Sequence, residues 1–246
     1  MIRKLAAPLV CRVNSTRLYG KPLQRIDIES GLSVLDYIIE LLKMQDVISD
    51  LVLGVSDHPG NKPFHKAAQK HGLISVTGRE DDVLGRSIKA VEAADGTDAF
   101  NITTESPFIY YPLIEQAWEI HCANDNDVTG VDTLPDGSGF SIFSMRAWEI
   151  AYREGGLRHR GDTSSYIREN ISNFKVETLE APKAVQRPDI RLTVDYPEDL
   201  ILCRDVYEKF KDQAPLIPLG DIVAYIDSNV DLQRLVAPYV LDPKLY

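Results

Sequence analysis

Apolar and polar positions alternate along this chain in two rhythms, one of short continuous runs and one of helical spacing. Leu5 to Val10 is an apolar run bounded by charge, the pattern of a parallel strand buried on both faces. Asn14 to Pro22 follows, rich in Gly, Pro, Ser, Lys and Arg, and reads as a loop. Leu35, Ile38, Ile39 and Leu42 then recur at helical spacing. Leu51 to Val55 predicts a second buried strand, closed by the turn Asp57-His58-Pro59-Gly60. Phe64, Ala67, Ala68 and His71 share a helix face, and Gly72 is a good stop for it. Leu73 to Val76 predicts a third strand, Leu84, Ile88 and Val91 another helix, Asp98 to Thr103 a fourth strand, and Leu113 to His121 a helix. This strict alternation implies a mostly parallel, doubly wound α/β sheet, which binds its ligands outside the carboxyl ends of its strands.

The rhythm changes after Asp127. Pro135 to Gly139 reads as a turn, Phe140 to Phe143 as a short strand, Arg146 to Arg153 as a helix, Gly155 to Thr163 as a polar loop, and Lys175 to Leu179 as another short strand. The segment at about 127–185 is therefore expected to be a small β-rich insertion covering a substrate. The main fold should resume with a strand at Ile190 to Val194. A helix follows, with Pro197 in its first turn and Leu200, Cys203, Tyr207 and Phe210 along one face. The expectation is a single domain spanning residues 1–246.

Composition narrows the function more than the fold. The formal net charge of −10 argues against a general nucleic-acid binder, which would carry a basic face. An acidic protein can still bind polyphosphate where its cations are concentrated. Three scattered cysteines make neither a disulfide framework nor a zinc ribbon, and Cys203 reads as a small core residue. The five histidines show no metal-ligand spacing and are read as surface or loop residues. No apolar run is long enough for a membrane span, and the stretch after Arg3 and Lys4 is too short for a signal peptide, so a cytoplasmic location is expected.

The cations are concentrated in one place. Arg12, Ser15, Thr16, Arg17, Gly20 and Lys21 fall in the loop after the first strand. Cations neutralise phosphate oxygens, and glycine admits close approach of backbone. Spacing alone would equally allow a solvated basic loop. The whole stretch from Cys11 to Leu23 resembles the CTP-binding signature of the CMP-sugar synthetases, a cytidylyltransferase family that includes spore-coat polysaccharide biosynthesis proteins and 3-deoxy-manno-octulosonate cytidylyltransferases. That resemblance implies a Rossmann-like fold of the nucleotide-diphospho-sugar transferase type. It also implies that Arg12, Ser15, Thr16, Arg17 and Lys21 hold the triphosphate, with Arg12, Arg17 and Lys21 assisting transfer. Cys11 and Tyr19 depart from the signature without removing a cation.

Three further segments extend the resemblance. Gly78 to Arg86 is similar to a spore-coat-type segment that helps hold the nucleotide, which points to Asp82 and Arg86. Asp81 and Asp82 would suit a helix start equally well. Ser56 and Asp57, at the end of the second strand, are placed to approach the cytosine, or form an ordinary turn. Thr103 to Ile109 resembles Thr-Gly-Asp-Cys-Pro-Leu-Ile, whose aspartate is a magnesium ligand. Here Glu105 takes its place, Thr104 replaces glycine and Tyr110 replaces a later aspartate. Arg191 to Leu200 closely resembles Arg-Leu-Thr-Val-Asp-Thr-Pro-Glu-Asp-Leu, so Asp195 matches the second magnesium ligand, although it could also cap the helix begun by Pro197. Glu198 and Asp199 read as first-turn helix charges.

The resemblance runs from about Leu5 to Phe210. It implies magnesium held by Glu105 and Asp195, with CTP and a small acidic acceptor as partners: a keto-deoxy sugar acid, a phosphonate or a phosphate. Pyrophosphate would be released. Gly161 to Ser165 departs from the family, which implies an altered acceptor pocket. Related enzymes commonly form homodimers. The departures at Thr104 and Glu105 support one alternative, a nucleotide-binding protein of this ancestry without turnover.

Overall fold

The computed structural model describes residues 2–240. Its frame is a seven-stranded sheet. The first half alternates as the pattern predicts: β1 (Leu5–Cys11), α1 (Val34–Lys43), β2 (Ile48–Ser56), α2 (Lys62–His71), β3 (Ile74–Gly78), α3 (Val83–Glu92), β4 (Asp98–Asn101) and α4 (Ile114–Ala123). The second half adds β5 (Val128–Asp132), β6 (Ser141–Ser144), α5 (Met145–Glu154), α6 (Ser165–Glu169), β7 (Val176–Glu180), α7 (Pro197–Phe210), α8 (Leu219–Asp227) and α9 (Val230–Val236). The strand order is β3-β2-β1-β4-β6-β5-β7. Only β6 runs against its neighbours, pairing antiparallel with both β4 and β5.

The period-two geometry of a strand explains why β1 had to be apolar throughout. Leu5, Ala7, Leu9 and Cys11 enter one buried layer with α1, Phe64 of α2, Ile114 of α4 and the C-terminal helices. Ala6 enters the opposite layer with α3, α5 and Ile167 of α6. Helices thus cover both faces, and the sheet is doubly wound. Gly54 of β2 is needed on the α3 side. A Cβ there would lie 3.1 Å from Val10 and 3.3 Å from the carbonyl oxygen of Arg86. Without that side chain α3 can pack close to β2.

Several expectations change. The segment at about 127–185 contributes β5, β6 and β7 to the one sheet. The strand β5 lacks a strong apolar signal because Thr129 and Gly130 interrupt it. Ile190 to Val194 is not a strand. It makes one isolated bridge, between Arg191 and Asp136, and is otherwise held by single hydrogen bonds. β4 ends at Asn101, before the Thr103 expected for it.

Two of the five histidines are not surface residues. His121 is fully buried, hydrogen-bonded to Asp98 (3.1 Å) and Thr129 (2.9 Å), and His159 is buried against Glu169 (3.1 Å). Cys203 is the core residue its helical position implies. No helix among the described residues is long and apolar enough to cross a membrane.

Candidate active site

The chain leaves β1 at its carboxyl end and enters the basic loop. Two bonds shape the start of that loop. The Val13 amide donates to Asn61 Oδ1 at 2.8 Å, and the Gly20 amide donates to the Val13 carbonyl at 2.8 Å. Gly20 has a φ of +59°, a left-handed conformation that favours glycine and lets the loop fold back before Lys21. The loop borders a cavity of about 510 Å³. Arg12, Ser15, Thr16, Arg17 and Lys21 line it together with Asn14, Tyr19, Glu80 and Glu105. A second cavity of about 460 Å³ adjoins it, lined by Arg12, Asp57, Arg79, Glu80 and Asp81. Arg12 and Glu80 belong to both. The Asn14 side chain donates to both Glu80 oxygens, at 3.1 Å each. Arg12 is exposed and makes no ion pair among the described residues.

The carboxylates arrive from two distant segments. The Val194 amide donates to the Glu105 carbonyl at 2.8 Å, and Ser106 Oγ meets Thr193 Oγ1 at 3.5 Å. These contacts place Asp195 beside the loop after β4. Asp195 is then gripped by three cations: Arg17 at 3.1 Å, Lys21 in a very short contact, and Arg191 at 2.8 Å. Burial works against its charge, but Lys21, Arg191 and Arg17 outweigh burial, and its carboxyl sits below the ordinary aspartate range. Glu105 behaves oppositely. Burial pushes it above the ordinary glutamate range, helped by the nearby Asp195, while Lys21 and Arg12 only partly offset the rise.

The structure therefore gathers Arg12, Ser15, Thr16, Arg17, Lys21 and Glu105 at one cavity, attaches Asp195 through Arg17 and Lys21, and puts Asp57 in the adjoining cavity. Three residues expected to contact the nucleotide line neither cavity. Ser56 is buried and accepts from Asn61 Nδ2 at 2.6 Å, which commits it to the clamp on Val13. Asp82 caps α3, accepting from the Gly85 amide at 2.9 Å and from Tyr152 at 3.0 Å. Arg86 is buried behind the 78–81 loop and donates to the carbonyls of Arg79 and Glu80. Thr104 turns away from the cavity and donates to the Val10 carbonyl at 3.0 Å.

Sequence reasoning missed other members. Asp199 is a first-turn helix charge, as its position implies, but its wider contacts are not legible in the sequence. It is 1% exposed, accepts from the amides of Asp195 (2.9 Å) and Tyr196 (2.8 Å), and pairs with Arg191 at 2.9 Å. The helix cap is Tyr196 rather than Asp195. Tyr196 stacks on Tyr239 with ring centroids 4.0 Å apart, and Arg17 lies over the Tyr196 ring at 5.2 Å. Asn61 is likewise central, and only its contact with a distant loop reveals it.

Cations in the loop after β1, beside Glu105 in the loop after β4 and paired with Asp195, suit a bound polyphosphate. A cytidylyltransferase family model matches residues 9–219. This chain belongs to the cytidylyltransferase family. Membership supports CTP-dependent nucleotidyl transfer. The chain is 26% identical over 230 residues to the spore coat polysaccharide biosynthesis protein SpsF of Bacillus subtilis, covering 89% of this chain and 92% of that one. A cytidylyltransferase structure from Leptospira borgpetersenii matches with a TM-score of 0.84 at 19% identity, over the full length of both chains. A CMP:2-keto-3-deoxy-manno-octonic acid synthetase structure complexed with CTP matches with a TM-score of 0.63 at 15% identity, over 84% of this chain and 99% of that one.

Proposed function

We propose that this cytidylyltransferase transfers CMP from CTP to a small acidic acceptor and releases pyrophosphate, with magnesium bound at Glu105 and Asp195. The reading rests on one observation: the loop cations and Glu105 line one cavity, and Asp195 pairs with two of those cations, although they come from residues 12–21, 105 and 195.

Arg17 and Lys21 bind the triphosphate, exchanging Asp195 for phosphate oxygens. Arg12 sits on the wall shared by both cavities, where it reaches the nucleotide from either side. The acceptor is a keto-deoxy sugar acid, a phosphonate or a phosphate, and its oxygen attacks the α-phosphorus in line. A phosphate or phosphonate is already anionic and needs no general base. A sugar hydroxyl needs help with its proton, from metal coordination or from a carboxylate. The location is cytoplasmic, where the nucleotide is supplied.

The donor set fits a divalent ion only in part. No group of three or more His, Cys, Asp or Glu able to hold a metal occurs among the described residues. Two carboxylates suit magnesium that takes its remaining ligands from phosphate and water. Such an ion would offset charge at the α-phosphate and on the departing pyrophosphate.

The test combines isothermal titration with CTP, a pyrophosphate-release assay over a panel of acidic acceptors, and mass spectrometry for a CMP conjugate. A conjugate with any acceptor supports the reading. CTP binding without turnover across the panel would favour the alternative, a nucleotide-binding protein without catalysis. Glu105 and Thr104, which stand where the family has aspartate and glycine, are the features that favour that alternative.

A further inference from the structure

Arg191 lines neither cavity, yet its guanidinium is the most heavily bonded group near them. It is 3% exposed. Nε donates to Asp199 Oδ1 at 2.9 Å. Nη2 donates to Asp195 Oδ2 at 2.8 Å and to Asp199 Oδ2 at 3.2 Å. Nη1 donates to Asp136 Oδ2 at 2.6 Å and to the Tyr239 carbonyl at 3.5 Å. A guanidinium has five N–H donors in a fixed planar fork, and here all five have acceptors.

Asp195 thus carries two kinds of cation. Arg17 has a half-exposed side chain, and Lys21 reaches Asp195 from the basic loop; both line the cavity and can turn to an incoming phosphate. Arg191 cannot follow them, because leaving Asp195 would break a buried fork also held by Asp199 and Asp136. When phosphate draws Arg17 and Lys21 away, Arg191 stays on Oδ2, and Oδ1 is the oxygen left open. Asp199 fixes the same carboxylate a second way, by holding the backbone amides of Asp195 and Tyr196.

We propose that Arg191 is a positioning residue, which with Asp199 holds the Asp195 carboxylate so that its Oδ1 faces the metal site in the nucleotide complex. This rests on the metal-dependent reading above. Outer partners of metal ligands typically change metal affinity by roughly 10- to 100-fold when altered. A lysine at position 191 keeps the charge but offers three donors in place of five, and cannot span Asp195 and Asp199 with a planar fork.

The test measures Mn2+ binding by electron paramagnetic resonance in the presence of α,β-methylene-CTP, an unreactive analogue, and titrates the analogue alone by calorimetry. Arg191→Lys should weaken Mn2+ binding by roughly tenfold or more. Its affinity for the analogue without metal should change by less than about twofold, since Arg191 touches neither cavity. Should Arg191→Lys fold poorly, Asp199→Asn serves instead. It retains an oxygen for the two backbone amides while turning an amide nitrogen against the guanidinium, and the same split is expected. Wild-type Mn2+ affinity in either folded variant overturns the proposal, as does an equal loss of Mn2+ and analogue. Those outcomes leave the nucleotide reading intact. A wild-type protein that binds analogue but no Mn2+ also overturns it, and one that binds neither overturns both.

Discussion

Among single residues, Arg17 and Lys21 look equivalent in the sequence and are not equivalent in the fold. Both pair with Asp195, but Arg17 is exposed and Lys21 is 6% exposed. Arg17→Ala should weaken CTP binding by about 1.5–3 kcal/mol, the range for a charge-assisted hydrogen bond, with the melting temperature unchanged. Lys21→Ala should weaken binding as much and also lower the melting temperature, because it removes a buried cation from a half-buried carboxylate. Calorimetry and thermal melts on both variants check this; unchanged CTP affinity in both would mean the loop does not hold the triphosphate. Asn61 carries a different expectation. Its side chain joins the Val13 amide to Ser56, so Asn61→Ala strands a buried amide and a buried hydroxyl. Leaving a buried group unpaired costs about 1–3 kcal/mol. The urea midpoint should fall accordingly, whereas Ser56→Ala should leave CTP affinity near wild type. No local pattern marks Asn61, since its significance lies in a contact with residue 13, 48 positions away. Arg191 was visible as part of a motif, but its five acceptors come from four separate positions in the chain.

At the level of elements, legibility followed burial. β1 and β2 read directly because a strand covered on both faces must be apolar at every position. β5 did not, because Thr129 answers His121 and Asn126 rather than an apolar neighbour. Ile190 to Val194 misled for the reverse reason: its apolar residues pack in the core, yet its backbone is held by Asp136 and Glu105 rather than by a strand. The start of α1 shows how elements lock to one another. Ser33 and Asp36 form a reciprocal cap, and Asp36 also meets His71 (2.6 Å) and Lys70 (3.0 Å) in the last turn of α2. Burial works against the Asp36 charge, but His71, Ser33 and Lys70 overcome it and hold the carboxyl at about 2, below its ordinary 3.8. A depressed carboxylate stabilises the fold fully above its ordinary value, and that stability is lost as pH falls through the folded value. The contribution is about 2 kcal/mol and should vanish between about pH 4 and pH 2. Urea midpoints of wild type and Asp36→Asn should differ at pH 5 and converge toward pH 2.5. A gap that stays constant over that range would show that the cap's charge is not what stabilises this corner.

For the molecule as a whole, the net charge of −10 sets the terms on which nucleotide binds. The overall charge repels a triphosphate, and the cavity lined by Arg12, Arg17 and Lys21 offers it local attraction. In the proposed complex it would draw two cations from Asp195 and come close to Glu105, leaving two carboxylates facing more negative charge. A divalent ion relieves that repulsion, and nucleotide and metal should therefore stabilise the fold together more than either does alone. Both buried layers share one sheet, so ligand stabilisation should appear as an upward shift of a single melting transition. At a hundredfold excess over its dissociation constant a ligand adds about 2.7 kcal/mol. For a domain of this size each kcal/mol moves the midpoint by roughly 2–4 °C, which gives a shift of roughly 5–11 °C. CTP with magnesium should reach that range, CTP alone should fall short of it, and ATP with magnesium should fall well below it, if the proposed site takes a pyrimidine and excludes the larger ring. Raising salt should shrink the shift, since the steering cations are partly exposed and screened. Equal shifts with CTP and ATP would remove the pyrimidine pocket from the proposal. Equal shifts with and without magnesium would remove the metal.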